Sequence, residues 1–366
     1  MMPEINPIGI YIHVPYCRVA CPYCDFVKRP TPGDAPEEFA DALCREIAAY
    51  DGPTTARSVF FGGGTPSLLT ENAFARIFDA LHARFQIAKG EITIEVNPDD
   101  VTRDRARYWR DLGVNRLSLG VQSFDNEVLE FLGRCHDADI ARSACGLIAE
   151  HFENWGIDLI FGAKPPEAWD ASIAECLRFA PPHISTYGLT YEERTPFWKQ
   201  RHQAISEDIA LAQYRHAMDM LDAAGYAHYE VSNFARPGFE SAHNLIYWHN
   251  EEYAAFGPGA VSYLGGVRAR NLSRIDAYLA QPGAKEESLI LAPREIKVET
   301  LIQHFRTRAG IARSAYRARF GCAIEEDFGD TMRALEARGL IANDGDRLSP
   351  TRLGYELNNE IGLALV

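Results

Sequence analysis

Several things are scarce in this chain of 366 residues. No stretch approaches the roughly 18 consecutive apolar residues of a membrane span, so any membrane contact is expected to be peripheral. The opening "MMPEINPIGIYIHVPYC" has no basic region and no long apolar core, so no signal peptide is expected and a cytoplasmic location is. Positive charge is in deficit: a formal net charge of −14 argues against a broad nucleic-acid or anionic-membrane surface. There is no solenoid repeat and no low-complexity segment. Cysteine is sparse as well, eight in all, too few for the disulfide framework of a small secreted domain.

What cysteine there is lies unevenly. Cys17, Cys21 and Cys24 fall within "CRVACPYCDF", and the other five are scattered. Cys44 and Cys145 sit at apolar positions of helical patterns and read as small buried hydrophobes. The cluster needs a different explanation. Thiolates select zinc, copper(I) or iron–sulfur clusters. A closed zinc site wants a second cysteine pair, and there is none; His13 is awkwardly placed on a strand to supply a fourth ligand. A cubane cluster takes four ligands. Three thiolates spaced CX3CX2C leave one iron open to a substrate or cofactor.

Six short apolar runs, at 9–15, 58–64, 91–98, 116–124, 154–162 and 183–189, alternate with amphipathic helical patterns. This predicts a parallel sheet with crossover helices, an α/β barrel or part of one. Chemistry in such folds sits at the C-terminal strand ends, where Cys17, Gly62–Gly64, Glu95, Gln122 and Asp158 fall. After about residue 285 the pattern changes to short helices with a β-wing, a small winged-helix-like module read as a structural or docking appendage rather than a DNA reader. The predicted division is 1–285 for the barrel and 286–366 for the appendage.

The spacing CX3CX2C just after the first strand resembles that of the radical S-adenosylmethionine (SAM) superfamily. "YIHVPYC", "GGGTPS", "EVNP", "NRLSLGVQSF", "LGRCH", "IDLIFG", "HNLIYW" and "GPGAVSY" resemble, in order, the branch that contains oxygen-independent coproporphyrinogen III oxidases and HemW-type heme chaperones. The resemblance implies a partial (β/α)6 barrel with a [4Fe–4S] cluster held by Cys17, Cys21 and Cys24. It implies SAM on the open iron, and an electron from the reduced cluster that breaks a carbon–sulfur bond to give methionine and a 5′-deoxyadenosyl radical. Tyr11, Gly63, Gly64, Thr65 and Glu95 match positions that contact SAM in the oxidases. Gln122, Arg134 and Asp158 match positions around a second SAM, and Tyr23 matches an aromatic neighbour of the cluster. Each also has an ordinary structural reading: Arg134 as a surface ion pair, Asp158 as a cap or strand-end residue.

Two features separate chaperone from oxidase. The oxidases carry a fourth cysteine two positions after the third; here that position is Phe26. They also have an N-terminal extension that helps cover the substrate, and only about ten residues precede the first strand here. "HNLIYW" resembles the HNXXXW pattern of the HemW branch, which implies heme as a third ligand, with His243 as its candidate axial ligand, His249 as a spare, and Tyr247 and Trp248 as packing partners. The implied partners are heme or porphyrin, acceptor hemoproteins, and an electron donor such as flavodoxin or ferredoxin, with no nucleic acid. The branch usually reads Leu-Pro-Gly-Gln after the "DLIFG" strand. This chain has Ala163-Lys164-Pro165-Pro166, so the pocket is expected to differ on that side.

Overall fold

The computed structural model describes residues 7–366. Twelve strands form one mixed sheet: β1 (Ile8–Val14), β2 (Thr55–Gly63), β3 (Gln86–Val96), β4 (Arg116–Gln122), β5 (Trp155–Phe161), β6 (His183–Gly188), β7 (Ala227–Glu230), β8 (Asn233–Ala235), β9 (Tyr253–Phe256), β10 (Val261–Leu264), β11 (Val267–Asn271) and β12 (Lys285–Ile290). Their spatial order is β12-β11-β10-β9-β1-β2-β3-β4-β5-β6-β8-β7. From β9 through β1 to β6 every pairing is parallel, and the sheet turns antiparallel at both edges. Six parallel strands in sequence order, with β9 added beside β1, make the predicted partial barrel. Its strands are buried on both faces, as in the pattern BBBiBBB of β1.

The crossover helices α1 (Glu37–Ala49), α2 (Glu71–Arg84), α3 (Arg103–Asp111), α4 (Asn126–Phe131), α5 (Ala138–His151), α6 (Ala168–Phe179) and α7 (Glu207–Ala223) lie between the strands in sequence. Their starts are set by short polar side chains that accept orphan backbone N–H groups: Thr70 from Ala73 at 3.0 Å, Asp125 from Glu127 at 2.9 Å and Asp137 from Ile140 at 2.8 Å. Their apolar faces, with Phe39, Leu43, Phe74, Phe78 and Trp109, pack on the outside of the sheet.

Helix α8 (Ala242–Trp248) has a different task. It carries the "HNLIYW" segment and packs against β1 and β2 at the floor of the barrel. Its N-terminus is held by Ser241, which accepts from Asn244 N at 3.3 Å, and by Glu91 of β3, which accepts from Ala242 N and His243 N, each at 3.1 Å. A carboxylate at a helix N-terminus satisfies orphan donors and complements the helix dipole.

From Pro293 onward, five helices (293–304, 313–320, 324–337, 352–356, 358–365) and a three-stranded sheet (311–312, 341–343, 347–350) build a winged-helix-like unit. It has its own core, including Leu301, Phe305, Tyr316, Phe328 and Leu348. Arg319 ties it to the barrel by donating to His249 O at 3.0 Å, and Arg215 of α7 pairs with Glu356 at 2.6 Å. Among the described residues no helix is long and apolar enough to cross a membrane.

Candidate radical SAM site

A cavity of about 810 Å³ runs down the barrel from the C-terminal strand ends to α8. The loop after β1 brings Cys17, Cys21 and Cys24 to its wall. That loop is closed at its base, where Tyr16–Cys17 pairs in parallel with Arg29–Pro30. Arg29 N donates to Pro15 O at 2.6 Å and Thr31 N to Cys17 O at 2.7 Å. Inside the loop Cys24 N donates to Cys21 O at 3.2 Å. The Lys28 ammonium is hydrogen-bonded to Cys24 O. All three thiols are free. Burial pushes the Cys17 thiol up to about 11, against a hydrogen bond from Thr65 that lowers it.

The glycine run ends β2 directly beside this loop. Gly64 N donates to Val14 O at 2.8 Å. A Cβ on Gly64 would lie 2.7 Å from Tyr16 O and 2.9 Å from Cys17 Sγ, so only glycine allows this approach. Gly63, at φ 106°, turns its N–H to Glu95 Oε2 at 3.2 Å. Thr65 is buried and accepts from Asn97 Nδ2 at 3.2 Å. Tyr11, inward-facing on β1, reaches His13 Nδ1 with its hydroxyl at 3.1 Å.

Two carboxyls face each other across the interior. Burial raises Glu95 to about 8; Asp158 adds to the rise, and the Gly63 N–H and Arg116 oppose it. Burial also raises Asp158, whose oxygens accept from Ser118 Oγ at 3.1 and 3.0 Å. The sign for Glu95 is that of a carboxyl with a raised folded-state pKa. The unfolded chain ionises this group near 4.5, so the ligand-free protein loses stability as pH climbs from there to about 8. A cationic ligand group that favours the carboxylate reverses the preference. SAM affinity is therefore expected to strengthen as pH rises towards about 8, and to lose that dependence in Glu95→Gln; calorimetric titration across this range measures both.

Gln122 ends β4 in the left-handed region at φ 66° and lines the cavity. A non-glycine residue there carries about 1–2 kcal/mol of strain, a cost that gathers at functional sites. Arg134 donates to Asn97 Oδ1, to Gly120 O at 3.1 Å and to Cys21 Sγ at 3.6 Å. It is brought there by Gly133, at φ 65°, where a Cβ would meet Pro22 Cδ at 2.8 Å. Arg134 thus joins the cysteine loop to β4. Tyr23 lines the same cavity with its ring tilted against Phe197, centroids 6.3 Å apart. Phe26 is 66% exposed, at the cavity mouth.

The remaining predicted site residue is placed elsewhere. His243 is fully buried in α8, below the cavity. Its Nδ1 is 2.8 Å from Ser58 Oγ, its Nε2 is 2.7 Å from Tyr247 Oη, and its ring stacks on Phe60 at 5.1 Å. Burial, then the charges of Arg116 and Arg57, lower it to about 3, so it is neutral. Both ring nitrogens are thus engaged in this conformation, and the ring packs beneath the cavity floor. His249, half-buried, lies against His304 of the C-terminal unit, ring centroids 5.4 Å apart. The Ala163–Pro166 turn, with a cis Lys164–Pro165 bond, is held from outside by Gln213 of α7: Gln213 Oε1 accepts from Gly162 N at 2.8 Å, and Nε2 donates to Pro166 O at 2.7 Å. None of these four residues lines the cavity, while Asp158 does.

Sequence reasoning passed over Arg116, His183 and Tyr187, all of which line the interior. A signal was present. In "RLSLG" and "HISTYG" polar residues recur at every second position, the period of one strand face.

The donor set suits a multi-iron cluster. The three thiols line one wall, beside a glycine kept free of a Cβ. Fold and site define a radical SAM protein. The Radical SAM superfamily model matches residues 11–171, and the HemN C-terminal domain model matches residues 291–357. The chain is 34% identical to the heme chaperone HemW of Lactococcus lactis, over 97% of this chain and 96% of that one. It is 32% identical to the heme chaperone HemW of Bacillus subtilis, over 96% and 97%. It belongs to the HemW family of heme chaperones within the radical SAM superfamily. The fold is that of the solved coproporphyrinogen III oxidase HemN from Escherichia coli, with a TM-score of 0.85 at 23% identity, over 98% of this chain and 90% of that one. Membership of the superfamily implies a [4Fe–4S] cluster and SAM.

Proposed function

We propose that this protein is a heme chaperone that binds a [4Fe–4S] cluster, SAM and heme, and passes heme to acceptor hemoproteins. The reading is carried by one convergence: the cysteine loop, the glycine run and the strand-end polar residues meet in one cavity of a chain akin to heme chaperones from end to end. Cys17, Cys21 and Cys24 hold the cluster. When bound, the reduced cluster supplies the electron that cleaves SAM.

The chain's own residues do the rest. Gly63 and Gly64 let the ligand approach the backbone, Thr65 and Tyr11 border it, and Glu95 accepts from its ammonium or ribose hydroxyls. Gln122, Arg134 and Asp158 form the wall that receives a second SAM or another ligand, and Tyr23 shields the cluster side. Phe26, where an oxidase has its fourth cysteine, offers an apolar face at the mouth for a porphyrin. The barrel sheet, through Ile290, forms the cofactor-binding core and the unit from Pro293 the appendage. Electrons come from a small redox protein such as flavodoxin or ferredoxin.

Oxygen-independent coproporphyrinogen III oxidation is the second reading, favoured by the shared fold and the intact set of SAM-side residues. Anaerobic incubation of reconstituted protein with SAM, a reductant and coproporphyrinogen III separates the two by mass spectrometry. The chaperone reading expects no decarboxylated porphyrinogen. Its catalytic accumulation would establish the oxidase.

A further inference from the structure

At the bottom of the cavity lie two side chains that the site above does not use. Arg116 and His183 are the first residues of β4 and β6, 2% and 1% exposed, and both line the cavity. Arg116 Nε is buried without a hydrogen-bond partner. Its nearest carboxylate oxygen, Glu91 Oε2, is 3.7 Å away, and Glu91 is already committed to the N-terminus of α8. His183 Nδ1 is likewise buried and unpartnered. Its other nitrogen, Nε2, is 2.9 Å from Tyr229 Oη, which accepts the Ser241 N–H at 3.2 Å. In the tautomer that takes the tyrosine proton on Nε2, the imidazole proton lies on Nδ1 and makes it a donor. Burial and Arg116 keep this histidine neutral.

Two orphan donors in one buried place are costly, because an unsatisfied buried donor forfeits its full hydration. Asp158, near enough to feel the Arg116 charge, accepts from Ser118 with both oxygens. Gly156 of β5 lies close against His183: a Cβ there would stand 3.0 Å from Nδ1 and 3.2 Å from the His183 carbonyl oxygen. What is missing is an anionic oxygen acceptor that reaches down from the cavity.

We propose that Arg116 and His183 form a carboxylate subsite at the barrel floor, which takes an acid side arm of the tetrapyrrole. The inference rests on the heme reading above and gives it a polarity: acid arm towards the barrel floor. Arg116 gives the arm a charge-assisted hydrogen bond and His183 a neutral one.

The test is fluorescence-quenching titration of the full-length, cluster-loaded protein with iron(III) protoporphyrin IX and with its dimethyl ester. The ester keeps the ring and removes the charge. The wild-type protein is expected to prefer the diacid by about tenfold, the worth of one buried charged hydrogen bond. Arg116→Gln should bind both forms equally, and Arg116→Lys, which keeps the charge but loses the fork, should keep a reduced preference. Iron content and melting temperature report folding; should Arg116→Gln not fold, an undiminished preference in Arg116→Lys overturns the subsite. A wild-type preference that survives in Arg116→Gln also overturns it, placing the acid arms elsewhere. Equal wild-type binding of diacid and ester overturns it as a water-filled polar floor only. A wild-type protein that binds neither form overturns the heme reading together with the subsite.

Discussion

Cys24→Ala is expected to leave the protein folded and almost free of iron. Cys24 is anchored through its backbone, to the Cys21 carbonyl and the Lys28 ammonium, and its thiol lines the cavity outside the hydrophobic core, so truncating it leaves the core packed. It does remove one of three protein ligands, and a cubane with two thiolates has two irons open to water and chelators. Iron per chain should fall from about four to below about one, with loss of the brown absorption. Cys145→Ala is the matched control. That thiol is fully buried in α5, away from the cavity, so its removal should cost about 1 kcal/mol of stability and leave iron unchanged. Unchanged iron in Cys24→Ala would contradict the cluster assignment, and one zinc per chain in the wild-type protein would replace it with a mononuclear site.

His243→Leu has the second large expected effect, on stability rather than on heme. Leucine fills a similar volume but strands the hydroxyls of Ser58 and Tyr247, both now hydrogen-bonded to the ring. Each orphaned buried hydroxyl costs about 1–3 kcal/mol, so the variant should lose about 2–5 kcal/mol in urea unfolding. Heme affinity per folded molecule should stay within about twofold of wild type, because the ring sits below the cavity with both nitrogens spent. A variant of unchanged stability and a Soret band shifted from the wild-type position would restore His243 as a ligand.

The HNXXXW segment shows how a motif can be legible and its reason not. Its residues stand out in the sequence, but only the packing of α8 on β1 and β2 reveals that the histidine bridges Ser58, 185 residues away, and stacks on Phe60. The cysteine loop and the glycine run were legible because ligand type and spacing are local. Strands β1 to β6 were legible because both faces are buried, which writes continuous apolar runs into the chain.

Other parts were hidden for definite reasons. The first turn of β3, from Gln86, lies before its apolar run and is defined by pairing with Thr55 of β2. The antiparallel extension has little apolar signal: β12 is exposed at all six positions and is a strand because β11 pairs with it. Arg116 breaks the rule that charge stays outside and His183 the rule that polar side chains do, and burial of the barrel's inner face was needed to see them.

The central claim is heme delivery, and the most direct measurement is transfer itself. Heme-loaded protein is mixed anaerobically with an apo-hemoprotein, and the acceptor's Soret band is followed by stopped flow. The account predicts transfer that accelerates with acceptor concentration and outpaces the spontaneous release of heme into a scavenger. A rate that equals free release and ignores the acceptor would contradict it, leaving a radical SAM protein that binds heme but does not deliver it.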